Sequence, residues 1–173
     1  MRRKIRSLLA FALATSLAMV VLVHPAAGQP VRADTSVRTA DVTFTKWMTN
    51  LPNDPSAAGA SMAGVVGGDV GDGTYAGIVL SDDTTSMPGF WLGHALYSFI
   101  GSEHTFVANN FITEDDTVSP ITATLRGRVI VGWMKGAWIT GEYTQFDTCP
   151  IPTPGNVFGT LCFQGTLHLR LKT

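Results

Sequence analysis

Glu142 is the residue of this sequence whose type and surroundings best suit acid–base chemistry. It lies between Gly141 and Tyr143, on a segment that is dense in aromatic residues. Burial in an apolar lumen would raise the pKa of this carboxyl, which could then act as a general acid or base beside the Tyr143 hydroxyl. The structural alternative is an exposed strand residue that pairs with a Lys or Arg across a hairpin.

The histidines His94, His104 and His168 are candidates for proton transfer or for metal binding. If the protein is an enzyme, we predict that His104 acts with Glu142 and Tyr143, and that His94 lines the ligand site. His168 alternates with polar residues and is expected to face solvent. Because no His-x-His pair occurs and nothing in the spacing requires the three to converge, neither a metal site nor a cofactor is predicted.

Aromatic side chains could line a cavity or form a platform for a sugar. Trp133 is a candidate ligand contact, because it lies in a turn where packing does not require a large apolar side chain. Core or rim positions are the structural alternative for such residues. The other candidate ligand-binding residues, besides His94, are Tyr97, Phe106 and Trp138.

The segments that must position these residues alternate with a period of two, which is typical of β-strands with one buried face. The clearest runs are residues 121–131, 137–146 and 159–173, and further strands are predicted at residues 40–47, 74–80, 92–100 and 103–113. Glycine turns separate them, and no long helical pattern occurs. The sequence therefore predicts an all-β fold, a single antiparallel β-barrel of about seven or eight strands, with a β-sandwich as the alternative.

The N-terminal residues have the order of a secretory signal peptide, predicted over residues 1–28. An apolar run over residues 7–23 is followed by small residues up to Gly28, the favoured cleavage point, with Ala33 as a second. We therefore predict a secreted protein without stable membrane insertion after cleavage, the alternative being an uncleaved anchor. The basic residues before the apolar run are Arg2, Arg3, Lys4 and Arg6.

After the signal peptide, residues 29–38 are predicted to be a flexible N-terminal segment and residues 39–173 a single β-barrel domain. Residues 50–73 are rich in Gly, Ala, Pro and Asp. We predict a long loop there, with room for one short strand. Loops of this length in a compact domain are often functional, so the segment is a candidate lid.

The charge balance does not suit nucleic acid as a partner. The chain has 12 Lys and Arg residues against 13 Asp and Glu residues, and cleavage would remove the basic N-terminal cluster. The mature protein is therefore acidic, which does not suit a nucleic-acid-binding protein. The acidic run at residues 114–116 is expected to form a solvated turn.

Cys149 and Cys162 flank a proline-rich connector, and they are the two cysteines of the chain. In an oxidising compartment they are predicted to form a structural disulfide. Closing a loop of this length would contribute about 3 kcal/mol to stability. A metal site is the alternative, but no Cys-x-x-Cys motif supports it.

The run from Gly132 to Tyr143, GWMKGAWITGEY, resembles the glycine-spaced hairpin of the small calycin-like barrels shared by allene oxide cyclases and plant dirigent proteins. The chain lacks the aspartate-flanked motifs of dirigent proteins. The resemblance implies a barrel whose lumen holds a small apolar molecule.

Three functions follow as hypotheses, and the sequence leaves open whether the protein is an enzyme. The first is a secreted module that binds a small hydrophobic ligand. The second is a cofactor-independent cyclase or isomerase that acts in the lumen. The third is an extracellular protein that binds a polymer or a partner through its surface. Unpaired edge strands in an open barrel would also allow a homo-oligomer.

Overall fold

Eight antiparallel strands follow one another around a closed barrel in the computed structural model, which describes residues 36–52 and 56–172. Each strand pairs with its neighbours in the chain, and the last pairs with the first, so the described residues leave no sheet edge unpaired. The predicted all-β barrel is confirmed, and the sandwich alternative is excluded. The strands are β1 (Val37–Asn50), β2 (Ser61–Gly68), β3 (Gly73–Asp83), β4 (Phe90–Gly101), β5 (Thr105–Asp115), β6 (Thr122–Gly132), β7 (Trp138–Phe146) and β8 (Cys162–Lys172).

Strand β2 lies inside the segment for which the sequence suggested a long loop. Its inward positions Met62 and Val66 are buried, but Gly64 stands between them. A Cβ atom on Gly64 would collide with the carbonyl oxygen of Thr45 on β1, so the close approach of the two strands requires glycine there. The alternation is therefore weak in the sequence.

Two predicted N-terminal features fall mostly outside the described residues. The signal peptide at residues 1–28 lies outside them, as does most of the segment 29–38. Strand β1 begins at Val37 and so includes the end of that segment.

One end of the barrel, called the closed end, is filled by aromatic side chains. Phe99 and Phe106 stack with ring centroids 4.6 Å apart, and Tyr75 packs edge-on against Phe99 at 5.4 Å. Val70, in the turn between β2 and β3, is fully buried beneath this cluster. The lumen is therefore packed at the end where the β2–β3, β4–β5 and β6–β7 connections lie.

The opposite end, called the open end, is partly covered by the connection between β7 and β8. Cys149 and Cys162 form the predicted disulfide across this connection. The Trp47 indole donates a hydrogen bond to the Pro154 carbonyl at 3.0 Å, and the Val157 amide donates to the Met48 carbonyl at 2.9 Å. These contacts hold residues 147–161 against the end of β1.

Candidate functional site

A cavity of about 240 Å³ opens at the open end of the barrel. Its lining is mainly apolar and includes ionisable groups from several strands. Larger depressions of about 580 and 470 Å³ lie around Glu142, but no buried ionisable side chain other than the Tyr143 phenol lines them. The apolar wall includes Met48, Met62, Val79, Trp91, Phe158 and Phe163, and the ionisable groups are Lys46, Tyr97, Glu114, Asp116 and Tyr143.

Lys46 projects into the lumen because it continues the inward alternation of Val42 and Phe44 on β1. Its side chain is only 4% exposed. The Nζ atom donates a hydrogen bond to the Tyr97 hydroxyl at 2.9 Å and lies 4.0 Å from the centroid of the Tyr143 ring. This ammonium group is therefore stabilised by aromatic faces.

Among the described residues, no carboxylate lies within ion-pairing distance of Lys46. The ion pair found among the described residues joins His168 to Asp41, on the outer face of the barrel. A buried cation without an anionic partner costs free energy, which aromatic rings offset only in part. An additional hydrogen-bond acceptor near Lys46 Nζ would therefore stabilise this side chain.

Glu114 and Tyr143 meet across β6 because the residue between them is small. Glu114 and Tyr143 each lie opposite Ala123 in register, one from β5 and one from β7. The methyl group of Ala123 leaves the two longer side chains free to meet above it. The Tyr143 hydroxyl donates to Glu114 Oε2 at 2.5 Å, a length typical of a charge-assisted hydrogen bond.

Burial shifts the titration of both partners. It raises the pKa of Glu114 above its ordinary value, while the Tyr143 hydrogen bond and the Lys46 charge oppose the shift. Burial, together with the Glu114 charge, raises the pKa of Tyr143 well above its ordinary value. Tyr143 is therefore a protonated donor at neutral pH, and Glu114 is a carboxyl group suited to accepting or releasing a proton.

Asn110 is a further polar group on the inner face of β5. It is fully buried, and neither its amide nitrogen nor its amide oxygen has a hydrogen-bond partner among the described residues. It lies in register with Ala95 and Gly127, so small residues flank it on both neighbouring strands. An unsatisfied buried amide costs about 1–3 kcal/mol.

The structure brings two of the sequence-predicted residues together at the cavity, Tyr97 and Tyr143. Glu142 alternates with the inward Tyr143 and therefore lies on the outer face of β7. His94 and Trp138 are also on the outer face. His94 stacks on Phe111 at 4.6 Å between ring centroids.

The remaining sequence-predicted residues cluster at the closed end. His104 stacks on Trp133, with ring centroids 4.1 Å apart. Phe106 is fully buried and lies 6.3 Å from the Trp133 ring. The predicted catalytic group of Glu142, Tyr143 and His104 is thus divided among the outer face, the open-end cavity and the closed end.

Sequence reasoning missed Lys46 and Glu114. Glu114 was expected in a solvated turn, but β5 continues through it and the inward alternation of Ala108, Asn110 and Ile112 carries its side chain to the cavity. The same alternation was the available signal for both residues. Charged residues are rarely buried, so the alternation alone does not predict that their side chains face the lumen.

Comparison of the chain with protein-family models, with curated proteins and with solved structures found no match. Within residues 36–52 and 56–172, no group of three His, Cys, Asp or Glu side chains could hold a metal ion. The same part of the chain contains no helix that is long and apolar enough to cross a membrane.

Proposed function

We propose that the barrel binds a small, mainly apolar molecule in the open-end cavity, with an uncharged oxygen of that molecule accepting a hydrogen bond from Lys46. The observation that carries this proposal is the burial of the Lys46 ammonium group, which has one hydrogen bond and, within residues 36–52 and 56–172, no carboxylate partner. A ligand oxygen would satisfy a further N–H group of Lys46. The apolar wall would bury the rest of the ligand.

Size and charge restrict the ligand. The cavity of about 240 Å³ is smaller than the range of about 300–1,000 Å³ that is usual for drug-sized ligands. Glu114 and Asp116 line the same cavity as Lys46 and would repel a carboxylate. A compact ketone, aldehyde or ether therefore fits better than a fatty acid.

We also propose that the protein acts outside the cytoplasm. The disulfide supports this location, because disulfides persist in oxidising compartments. The predicted signal peptide would direct the export. The closed barrel with an apolar cavity also supports a fold-level relationship to the barrels of allene oxide cyclases and dirigent proteins.

Three monocyclic terpenoids of similar size test the binding proposal: the hydrocarbon limonene, the ketone carvone and the carboxylic acid perillic acid. Calorimetry and intrinsic tryptophan fluorescence would measure binding, since Trp91 lines the cavity. We expect carvone to bind more tightly than the other two. Lys46→Met should remove the preference for carvone over limonene and leave limonene binding intact. Equal binding of all three, or a preference retained in Lys46→Met, would contradict the proposal.

Proton transfer is the second candidate function, and the Glu114–Tyr143 hydrogen bond favours it. With the ligand carbonyl polarised by Lys46, the Glu114 carboxylate would accept a proton from the adjacent carbon, leaving an enolate, and would return it at the same or a conjugated carbon. Such a cofactor-independent isomerase would need no other group. Tyr143 would hold Glu114 in position.

Deuterium exchange separates this candidate from simple binding. In deuterated buffer, nuclear magnetic resonance would follow loss of the proton signals beside the carvone carbonyl. An isomerase should exchange them faster than buffer does, and Glu114→Gln should abolish the acceleration while carvone still binds. If the wild-type protein binds carvone without accelerating exchange, the enzymatic candidate fails and the binding proposal stands.

A further inference from the structure

The outer surface of β6, β7 and β8 concentrates the exposed basic residues of the barrel around one tryptophan. Because every second side chain of a strand faces outward, Arg126 and Arg128 share this surface on β6, as do Arg170 and Lys172 on β8. Trp138 on β7 lies between the two pairs. This set of five residues is called the basic face: Arg126, Arg128, Trp138, Arg170 and Lys172.

Strand register aligns the centre of the basic face into a row. Trp138 lies directly opposite Arg128 on one side and Arg170 on the other. The two arginine backbones are therefore two strand spacings apart, roughly 10 Å. The Arg128 guanidinium stacks on the indole at 4.8 Å, and its Nε donates to the Gly136 carbonyl at 3.2 Å. The Arg128 side chain is thus held in place although the residue is exposed.

The positive charges of the basic face are not neutralised within the described residues. The nearest ion pair joins His168 to Asp41, at the edge of the face, and no carboxylate of a described residue lies within 4.0 Å of the arginines or of Lys172. Like charges at neighbouring positions of a sheet are destabilising. Trp138 also remains 61% exposed, so its indole is accessible to a ligand that contacts the flanking arginines.

We propose that the basic face binds an acidic polysaccharide, with carboxylate or sulfate groups on Arg128 and Arg170 and a sugar ring against Trp138. An extended acidic polysaccharide carries anionic groups at intervals along its length, which suits a row of guanidinium groups. Arginine binds carboxylate and sulfate in a bidentate manner. The polymer adds the apolar faces of its sugar rings, which an exposed indole can cover. This site is separate from the open-end cavity.

Other occupants fit the basic face less well. A second copy of the chain would place like charges in contact. Nucleic acid requires a longer basic groove with several stacking positions, whereas the rest of this chain is acidic.

Binding of polygalacturonate, measured by affinity electrophoresis and by calorimetry over a range of salt concentrations, tests the proposal. Uncharged dextran is the control polymer. We expect binding to polygalacturonate that weakens with salt, and no binding to dextran. The double variant Arg128→Gln/Arg170→Gln should lose about tenfold or more in affinity and should bind with a weaker salt dependence. Trp138→Ala should lose about tenfold with the salt dependence unchanged.

A charge-matched control separates the row from net charge. The double variant Arg38→Gln/Lys135→Gln also removes two positive charges but leaves the row intact, so its affinity should stay within about twofold of wild type. Melting curves by circular dichroism would show that each variant is folded. Equal losses in both double variants would overturn the proposal, as would failure to bind polygalacturonate. Binding to anionic vesicles or single-stranded DNA in place of the polysaccharide would also overturn it.

Discussion

The function proposed for the open-end cavity depends on Lys46. This charged residue occupies an inward position that usually holds an apolar side chain. It is 4% exposed and contacts a tyrosine hydroxyl and aromatic faces. Proteins retain such groups when function requires them, since replacing a buried charge with an apolar side chain of similar volume is often neutral or stabilising.

Lys46→Met should therefore keep or increase stability while it abolishes selective ligand binding. The methionine side chain fills a similar volume without the cost of desolvating a charge, and the loss of the Tyr97 hydrogen bond offsets about 1 kcal/mol of that gain. Urea unfolding would measure the change. A loss of more than about 2 kcal/mol in the free energy of unfolding would show that Lys46 is a structural residue.

Glu114 should make stability depend on pH. Because its pKa is raised in the folded state above the ordinary value of 4.5, the folded protein binds a proton more tightly than the unfolded chain. Its contribution is fully present below the ordinary pKa and is lost as pH rises through the folded-state pKa.

Glu114→Gln should remove this part of the pH dependence, so the variant should gain stability relative to wild type as pH rises from about 4 to 7. Chemical unfolding at a series of pH values would measure the difference. Glu142→Gln is the matched control, since that carboxyl lies on the outer face. A parallel pH profile for wild type and Glu114→Gln would contradict the assigned shift.

At the scale of the elements, the β7–β8 connection is both a stabilising link and part of the cavity wall. The disulfide closes it at a separation of 13 residues, and Phe158 within it lines the cavity. Cys149→Ala/Cys162→Ala should lower the free energy of unfolding by about 3 kcal/mol. It should also weaken carvone binding, because Phe158 would be held less firmly. Unchanged carvone affinity in the folded variant would show that the connection does not form the wall.

The approach of β1 and β2 gives a second prediction at this scale. Gly64→Ala should destabilise the barrel by about 1–3 kcal/mol, because the new methyl group meets the Thr45 carbonyl oxygen and the backbone must shift. Gly67→Ala, on the same strand, is the matched control. There the nearest atom is the Thr43 hydroxyl at 3.1 Å, which can rotate away. Thermal unfolding of the two variants would compare them, and equal losses would contradict the steric argument.

The strands differ in how clearly the sequence predicts them. The alternation over β6, β7 and β8 predicted strands because large apolar residues such as Leu125, Ile139 and Leu169 mark the inward face. It was weak over β2, where backbone contact replaces side-chain contact at Gly64. The pairing of Glu114 with Tyr143 depends on strand register across Ala123, which composition and spacing along one chain do not determine.

At the scale of the whole molecule, the barrel is divided between a packed closed end and an open end with a cavity. The aromatic cluster around Phe99 provides the core, and this leaves the open end free to hold Lys46 and Glu114 at a cost in stability. The sequence predicted the barrel and the disulfide, and two of the residues that it singled out, Tyr97 and Tyr143, line the open-end cavity. It did not predict the end at which the lumen opens, because that depends on how inward side chains fill the barrel in three dimensions.

A crystal structure of the carvone complex tests the central claim most directly. We expect carvone in the open-end cavity, with its carbonyl oxygen about 2.7–3.2 Å from Lys46 Nζ and its ring against Phe163 and Met62. A carbonyl group turned toward solvent, or carvone bound elsewhere while the cavity stays empty, would contradict the account.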